Sequence, residues 1–179
     1  MGFFDIFKKK QATAPSVPSV SAEVASLPQP ENLTDFLIAL DNRISKKCNY
    51  GKEIEKLNEY EKTFFLTQKL EAEINNGGFD QFFFNSSGNF AYETVDAFQA
   101  IGAVKTAEIC RKAINSFGKK IPKDRDKRMN FFDKYADDHV SNILDECDDA
   151  FYEYEEDLNQ LNFDYIARNQ AFFDLKELI

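Results

Sequence analysis

From Glu31 onward apolar residues recur three and four positions apart, and no segment alternates apolar with polar residues at period two. That spacing excludes a sheet and asks for helices. Leu33, Phe36, Leu37, Leu40 and Ile44 form one such stripe, with Asn32 placed to cap it. Asn58 and Glu61 stand at the spacing of a capping box, which predicts a second helix running to about Asn75. Tyr92, Val95, Phe98 and Ile101 mark another, Gly102 breaks it, and Ala107, Ile109, Cys110, Ala113 and Ile114 mark the next before Pro122. With 19 Phe among 179 residues there is material for one well-filled core. The expected fold is all-α: a single compact bundle of about seven or eight helices over 31–179, after a flexible amino-terminal tail and linker over 1–30.

That tail opens MGFFDIFKKK, with apolar residues ahead of the lysines, the reverse of a secretory signal. Ile6 occupies the position where myristoylation wants Ser or Thr. Phe3, Phe4, Ile6 and Phe7 before Lys8, Lys9 and Lys10 have the composition of a weak membrane contact, but so short a segment gives marginal affinity, and a frayed terminus is the better expectation. Residues 11–30, rich in Ala, Pro, Ser and Val, read as linker. Cys48, Cys110 and Cys147 are widely spaced and form no CxxC, so neither a disulfide framework nor a zinc site is expected. No transmembrane run is visible, and a cytoplasmic location fits.

INNGGFDQFFFNSSGN, residues 74–89, admits two readings. In the structural one, Gly77 and Gly78 end a helix, Phe79, Phe82 and Phe83 share one side of a short helix, and Ser86, Ser87 and Gly88 form its exit turn. In the functional one, Asn76, Gln81 and Asn85, with Asn75, make a hydrogen-bonding pocket beside an aromatic wall, the centre of a small-molecule-binding or enzymatic domain. Amides of this kind usually satisfy helix ends, which favours the first.

The same run, EINNGGFDQFFFNSSGN, followed by a helix ending in AIGA and a later stretch rich in Asp, Glu and Tyr, resembles the bacterial DNA-mimic-protein-like family over about Asn32 to Phe173. The resemblance implies an all-helical fold, a homodimer, and an acidic surface that occupies a protein's nucleic-acid-binding site. The NGGF motif carries none of that acidity, so the activity has to be argued from the charges.

Those charges are lopsided. Residues 133–179 hold 14 acids against 3 bases, while residues 1–132 hold 17 against 19. Within YADDHVSNILDECDDAFYEYEEDL, taken as one helix, Ala136, Val140, Ile143, Leu144, Cys147, Ala150, Phe151, Tyr154 and Leu158 project to one side. Opposite or flanking them fall Asp137, Asp138, Asp145, Glu146, Asp148, Asp149, Glu153, Glu155, Glu156 and Asp157, the expected partner-binding residues. From Asp133 to Asp157 there are 11 acids, about one per ~3.3 Å of helix at ~1.5 Å per residue, against one phosphate per ~3.4 Å of axis along a DNA strand. A solvated face ordinarily mixes signs, because like charges four residues apart repel.

Catalytic patterns are weak. His139, the only histidine, projects to the edge of the acidic face, and Cys147 projects to the core, so they make no nucleophile and base pair. The acids lack the glycine and ligand order of an EF-hand loop, and neither metal nor cofactor is expected. KKIPKDRDKR, residues 119–128, is too short and too poor in aromatics for direct nucleic-acid binding; it reads as a connector or as a partner for the acidic ridge. The expected function is that of a non-enzymatic acidic binding protein that mimics nucleic acid on the basic surface of a transcription factor or nuclease.

Overall fold

The computed structural model describes residues 27–178; the segment 3–10, with its membrane question, and the linker up to residue 26 lie outside the described residues. Over the described residues the protein is all-α, with α1 (Leu33–Lys47), α2 (Glu59–Phe84), α3 (Ala91–Ile101), α4 (Val104–Asn115), α5 (Arg125–Tyr135), α6 (Asp138–Tyr152) and α7 (Leu158–Arg168), and short 3₁₀ turns at Ile54–Lys56, Ser86–Phe90 and Gln170–Phe172. Seven α-helices fall within the number that the periodicity predicts.

The starts of these helices follow from short polar side chains. Asn32 accepts from Asp35 N–H, and at Asn58 both halves of the capping box form: its side chain accepts from Glu61 N–H at 2.9 Å while Glu61 accepts from Asn58 N–H at 3.0 Å. Asp124, Asp137 and Asp157 cap α5, α6 and α7 by accepting from Lys127, Val140 and Gln160 N–H. Gly102, at φ 93, ends α3 in the left-handed region.

Helix α2 is the spine of the bundle, packing against α1, α3, α5, α6 and α7. It is broken at Gly77 and Gly78, and Gly78 takes φ 72, ψ −172, a conformation open to glycine and little else. The break turns the segment after Gly78 so that Phe79, Phe82 and Phe83 are all buried, as the NGGF spacing predicts. Phe83 meets Phe117 edge to face at 5.5 Å and Phe132 at 6.0 Å, and Phe131 and Tyr135 extend the cluster along α5. Large rings of this kind dominate core energetics, each covering ~150–250 Å².

Two expectations need correction. Leu27 is buried in the core, and Gln29 donates to Gln160, so the packed chain begins before residue 31. The acidic stretch is not one helix: α6 stops at Tyr152, Tyr154 takes φ 44, and α7 starts only at Leu158. Tyr154, placed on the core stripe by projection, is instead exposed; its hydroxyl donates to Glu71 at 3.1 Å and accepts from Asn75 at 2.6 Å, contacts that hold the turn against α2.

Candidate partner-binding surface

Helix α6 packs on α2 and α4 through Val140, Leu144, Cys147 and Phe151, and its other side faces solvent. The ten acids of the expected ridge divide here into three groups by what they touch.

Four of them serve helix starts. Asp137 and Asp157 cap α6 and α7. Asp148 accepts from Phe79 N–H at 2.8 Å and so caps the part of α2 that restarts after the glycines. Glu156 caps α4, accepting from Lys105 N–H at 3.0 Å, Thr106 N–H at 2.9 Å and the Thr106 hydroxyl at 2.8 Å. Carboxylates are favoured at such positions by unpaired N–H groups and the positive end of the helix dipole. Burial pushes the Glu156 pKa up, but these hydrogen bonds and the Lys105 charge outweigh it and hold it below the ordinary value.

Two more are ion-paired on the surface: Glu146 with Lys112, at 2.7 Å, and Glu155 with Lys105. The Lys112 hydrogen bond lowers the Glu146 pKa. The remaining four, Asp138, Asp145, Asp149 and Glu153, are exposed, and none has a hydrogen bond or ion pair among the described residues. Asp80, on the reoriented end of α2, joins them: its pKa is raised by burial and then by Asp145. That of Asp148 is raised by burial, against the Phe79 hydrogen bond, and further by Asp80, Asp145 and Asp149. Asp80, Asp145, Asp148 and Asp149 thus stand close enough to disfavour one another's charge across the contact of α6 with the end of α2.

The unpaired carboxylates are sparser than a single continuous helix would make them. Steps of seven, four and four residues correspond to ~10, ~6 and ~6 Å at ~1.5 Å per residue. Glu153 keeps helical dihedrals, φ −66 and ψ −19, and so stays in line with Asp149, whereas Glu155, Glu156 and Asp157 lie in the turn beyond.

The basic segment 119–128 makes no ion pair with α6 among the described residues. Lys123 pairs with Glu93, and Arg125 lies over Phe84, 4.7 Å from its ring centroid. Arg128 is wholly enclosed: it donates to the carbonyls of Phe83 at 2.6 Å, Asn85 at 2.7 Å, Lys123 at 2.6 Å and Pro122 at 3.2 Å, and to Asn89 Oδ1 at 3.0 Å. It satisfies the carbonyl end of α2 and anchors α5 there.

The amides of the polar corner do come together, around a residue the sequence reading missed. Gln81 and Asn85 both donate to Glu73 Oε2, at 2.7 and 2.8 Å, Ser87 donates to Glu73 Oε1 at 2.6 Å, and Asn76 donates to Gln81 at 2.9 Å. The cluster ties the two segments of the broken α2 to the 3₁₀ turn that follows. Glu73 also lines a cleft of about 420 Å³ with Lys69, Phe65 and Ser86.

His139 is exposed in the first turn of α6, while Cys48, Cys110 and Cys147 are buried free thiols. Burial raises the Cys147 thiol to about 11 and shifts Cys110 in the same direction, so neither is poised as a thiolate. Among the described residues no group of three or more His, Cys, Asp or Glu is placed to hold a metal ion, and no helix is long and apolar enough to cross a membrane.

A family model described as DMP19-like protein matches residues 55–169, a span narrower than Asn32 to Phe173, holding α2 to α7 and leaving α1 outside. No curated protein and no solved structure matches the chain.

Proposed function

The chain belongs to the DMP19-like protein family, and we propose that it is a non-enzymatic acidic binding protein whose α6 surface stands in for nucleic acid on the basic face of a transcription factor or nuclease. The observation that carries this reading is the strip of Asp138, Asp145, Asp149 and Glu153, without an ion pair among the described residues while the nearby Lys105 and Lys112 of α4 engage Glu155 and Glu146. Repulsion between Asp145, Asp149 and Glu153 at four-residue spacing costs ~0.2–0.5 kcal/mol per pair, and no ion pair among the described residues offsets it. A cationic partner would. Asp80 widens the strip, and pairing of two chains about a two-fold axis would supply a second one, as half-sites are paired in operators. The amides of the polar corner are already satisfied on Glu73, which leaves the strip as the better-supported site.

The test is capture of a partner from host lysate by the immobilised full chain, with elution by duplex DNA. Asp145→Asn, Asp149→Asn and Glu153→Gln together preserve shape and remove no side chain that caps a helix start, and Glu153 caps the end of α6 through its backbone N–H alone. Three exposed charge pairs at ~0.2–1 kcal/mol each predict a ~3- to 150-fold loss of affinity, at ~1.4 kcal/mol per decade, with folding stability kept or slightly raised. Added salt should weaken the parent complex, since exposed charges are screened over ~8 Å at physiological ionic strength. A partner held equally well by the triple variant, indifferent to salt and to DNA, would return the strip to plain solvated surface.

A further inference from the structure

A groove of about 660 Å³ opens between the end of α2, α5 and the start of α6. Its floor is aromatic, from Phe83, Phe117 and Phe132; Phe84 stands at its edge, 53% exposed, and Asp80 and Asp138 border it. An apolar cavity of ~150 Å³ holds one benzene ring, so this space admits two or three aromatic side chains. An occupant that suits it needs aromatic residues followed at once by cations.

The chain carries such a segment. Residues 1–10, MGFFDIFKKK, set Phe3, Phe4 and Phe7 before Lys8, Lys9 and Lys10, with Asp5 the lone acid. We propose that this segment docks in the groove of its own chain, its phenylalanines on the aromatic floor and its lysines against Asp80 and Asp138. Reach is ample. The 16 residues 11–26 separate it from Leu27, and fully extended they span ~53–58 Å at ~3.3–3.6 Å each. A domain of ~150 residues has a radius of gyration of only ~15 Å. A tether of this kind holds its end at roughly millimolar effective concentration, so a segment that binds as a free peptide with a dissociation constant near ~1 mM still fills about half of the grooves. The groove shares Asp80 and Asp138 with the acidic strip, but Asp145, Asp149 and Glu153, the positions that test nucleic-acid mimicry, do not line it, so the two tests can fail separately.

Amide hydrogen exchange on the full chain tests it. In the parent, amides of α5 and the first turns of α6 should exchange about twofold or more slowly than in the full-length variant Phe3→Ser, Phe4→Ser, Phe7→Ser, as a half-filled groove requires. The difference should shrink with added salt, and synthetic MGFFDIFKKK at millimolar concentration should restore protection to the variant. Asp80→Asn with Phe84→Ala alters the groove itself; adding the three serine substitutions to that background should change exchange no further. Equal exchange in parent and serine variant overturns the proposal. So does protection that vanishes on dilution, which assigns the segment to a second copy, or unaltered exchange with loss of flotation on anionic vesicles, which assigns it to a membrane.

Discussion

Gly78→Ala tests the join between the broken α2 and α6. At φ 72, ψ −172 an alanine sits in a region that is nearly closed to side chains, costing ~1–3 kcal/mol. Space is a second, separate problem: a Cβ built on Gly78 lies 2.1 Å from Asp148 Oδ2 and 2.8 Å from its Cγ. The carboxylate must move, and the atom group that moves is the one accepting from Phe79 N–H. Loss of such a cap costs a further ~0.5–2 kcal/mol. The sum, ~1.5–5 kcal/mol, lowers Tm by ~3–20 °C at the ~2–4 °C per kcal/mol of a domain this size. Urea unfolding of the parent, Gly78→Ala, Asp148→Ala and the double variant separates the two effects. With Asp148 already truncated, Gly78→Ala should cost only the backbone part, leaving a coupling of ~0.5–2 kcal/mol, above the ~0.3–0.5 kcal/mol scatter of independent sites. An equal cost in both backgrounds would refute the clash with Asp148, and a cost near zero in the parent would refute the need for glycine.

Two further outcomes concern protons. Glu156→Gln should lose ~0.5–2 kcal/mol by weakening the α4 cap; because the hydrogen bonds and Lys105 depress the Glu156 pKa, the stabilisation is present above the ordinary glutamate range and lost as pH falls through the folded-state pKa, so urea midpoints of parent and variant should differ at pH 7 and draw together as pH falls below that range. Asp80→Asn has the opposite sign: burial and Asp145 raise the Asp80 pKa, so stability falls as pH rises from the unfolded value of ~3.9 through the folded one, and the variant should melt higher than the parent at pH 7 and equally below that window. A variant that melts lower at pH 7 would contradict this.

What could be read before the structure was whatever depends on neighbours along the chain. Asn32, the Asn58 and Glu61 box and the helix-stopping Gly77 and Gly78 are local, and each appears where its spacing puts it. Glu73 was out of reach, since its partners at positions 81 and 85 share its face only because the helix turns at the glycines. Arg128 looked like part of a solvated basic run; nothing in its neighbours says that its guanidinium closes over carbonyls some forty residues earlier. The acidic stretch was misread as one helix because its apolar spacing continues through Tyr154 to Leu158. The interruption comes from a long-range contact, Tyr154 with Glu71 and Asn75, and from Asp157 capping a new helix.

That interruption bears on function, because it divides carboxylates that look alike in sequence into two populations with opposite consequences. Asp137, Asp148, Glu156 and Asp157 face helix N-termini, each equivalent to about +0.5 charge, so the fold already neutralises much of their field and their removal registers as lost stability. Asp145, Asp149 and Glu153 have no such partner among the described residues, so their field reaches solvent and their removal relieves repulsion, whereas Asp138, although exposed, lies in the first turn of α6. Neutralising all ten acids together would weaken binding and folding at once and could not tell a mimic from an unfolded chain. Neutralising only the second population separates them: under the proposed function, affinity for the basic partner falls while the melting temperature holds or rises. A substitution confined to the caps should instead lower stability, with affinity falling only as far as the folded fraction does.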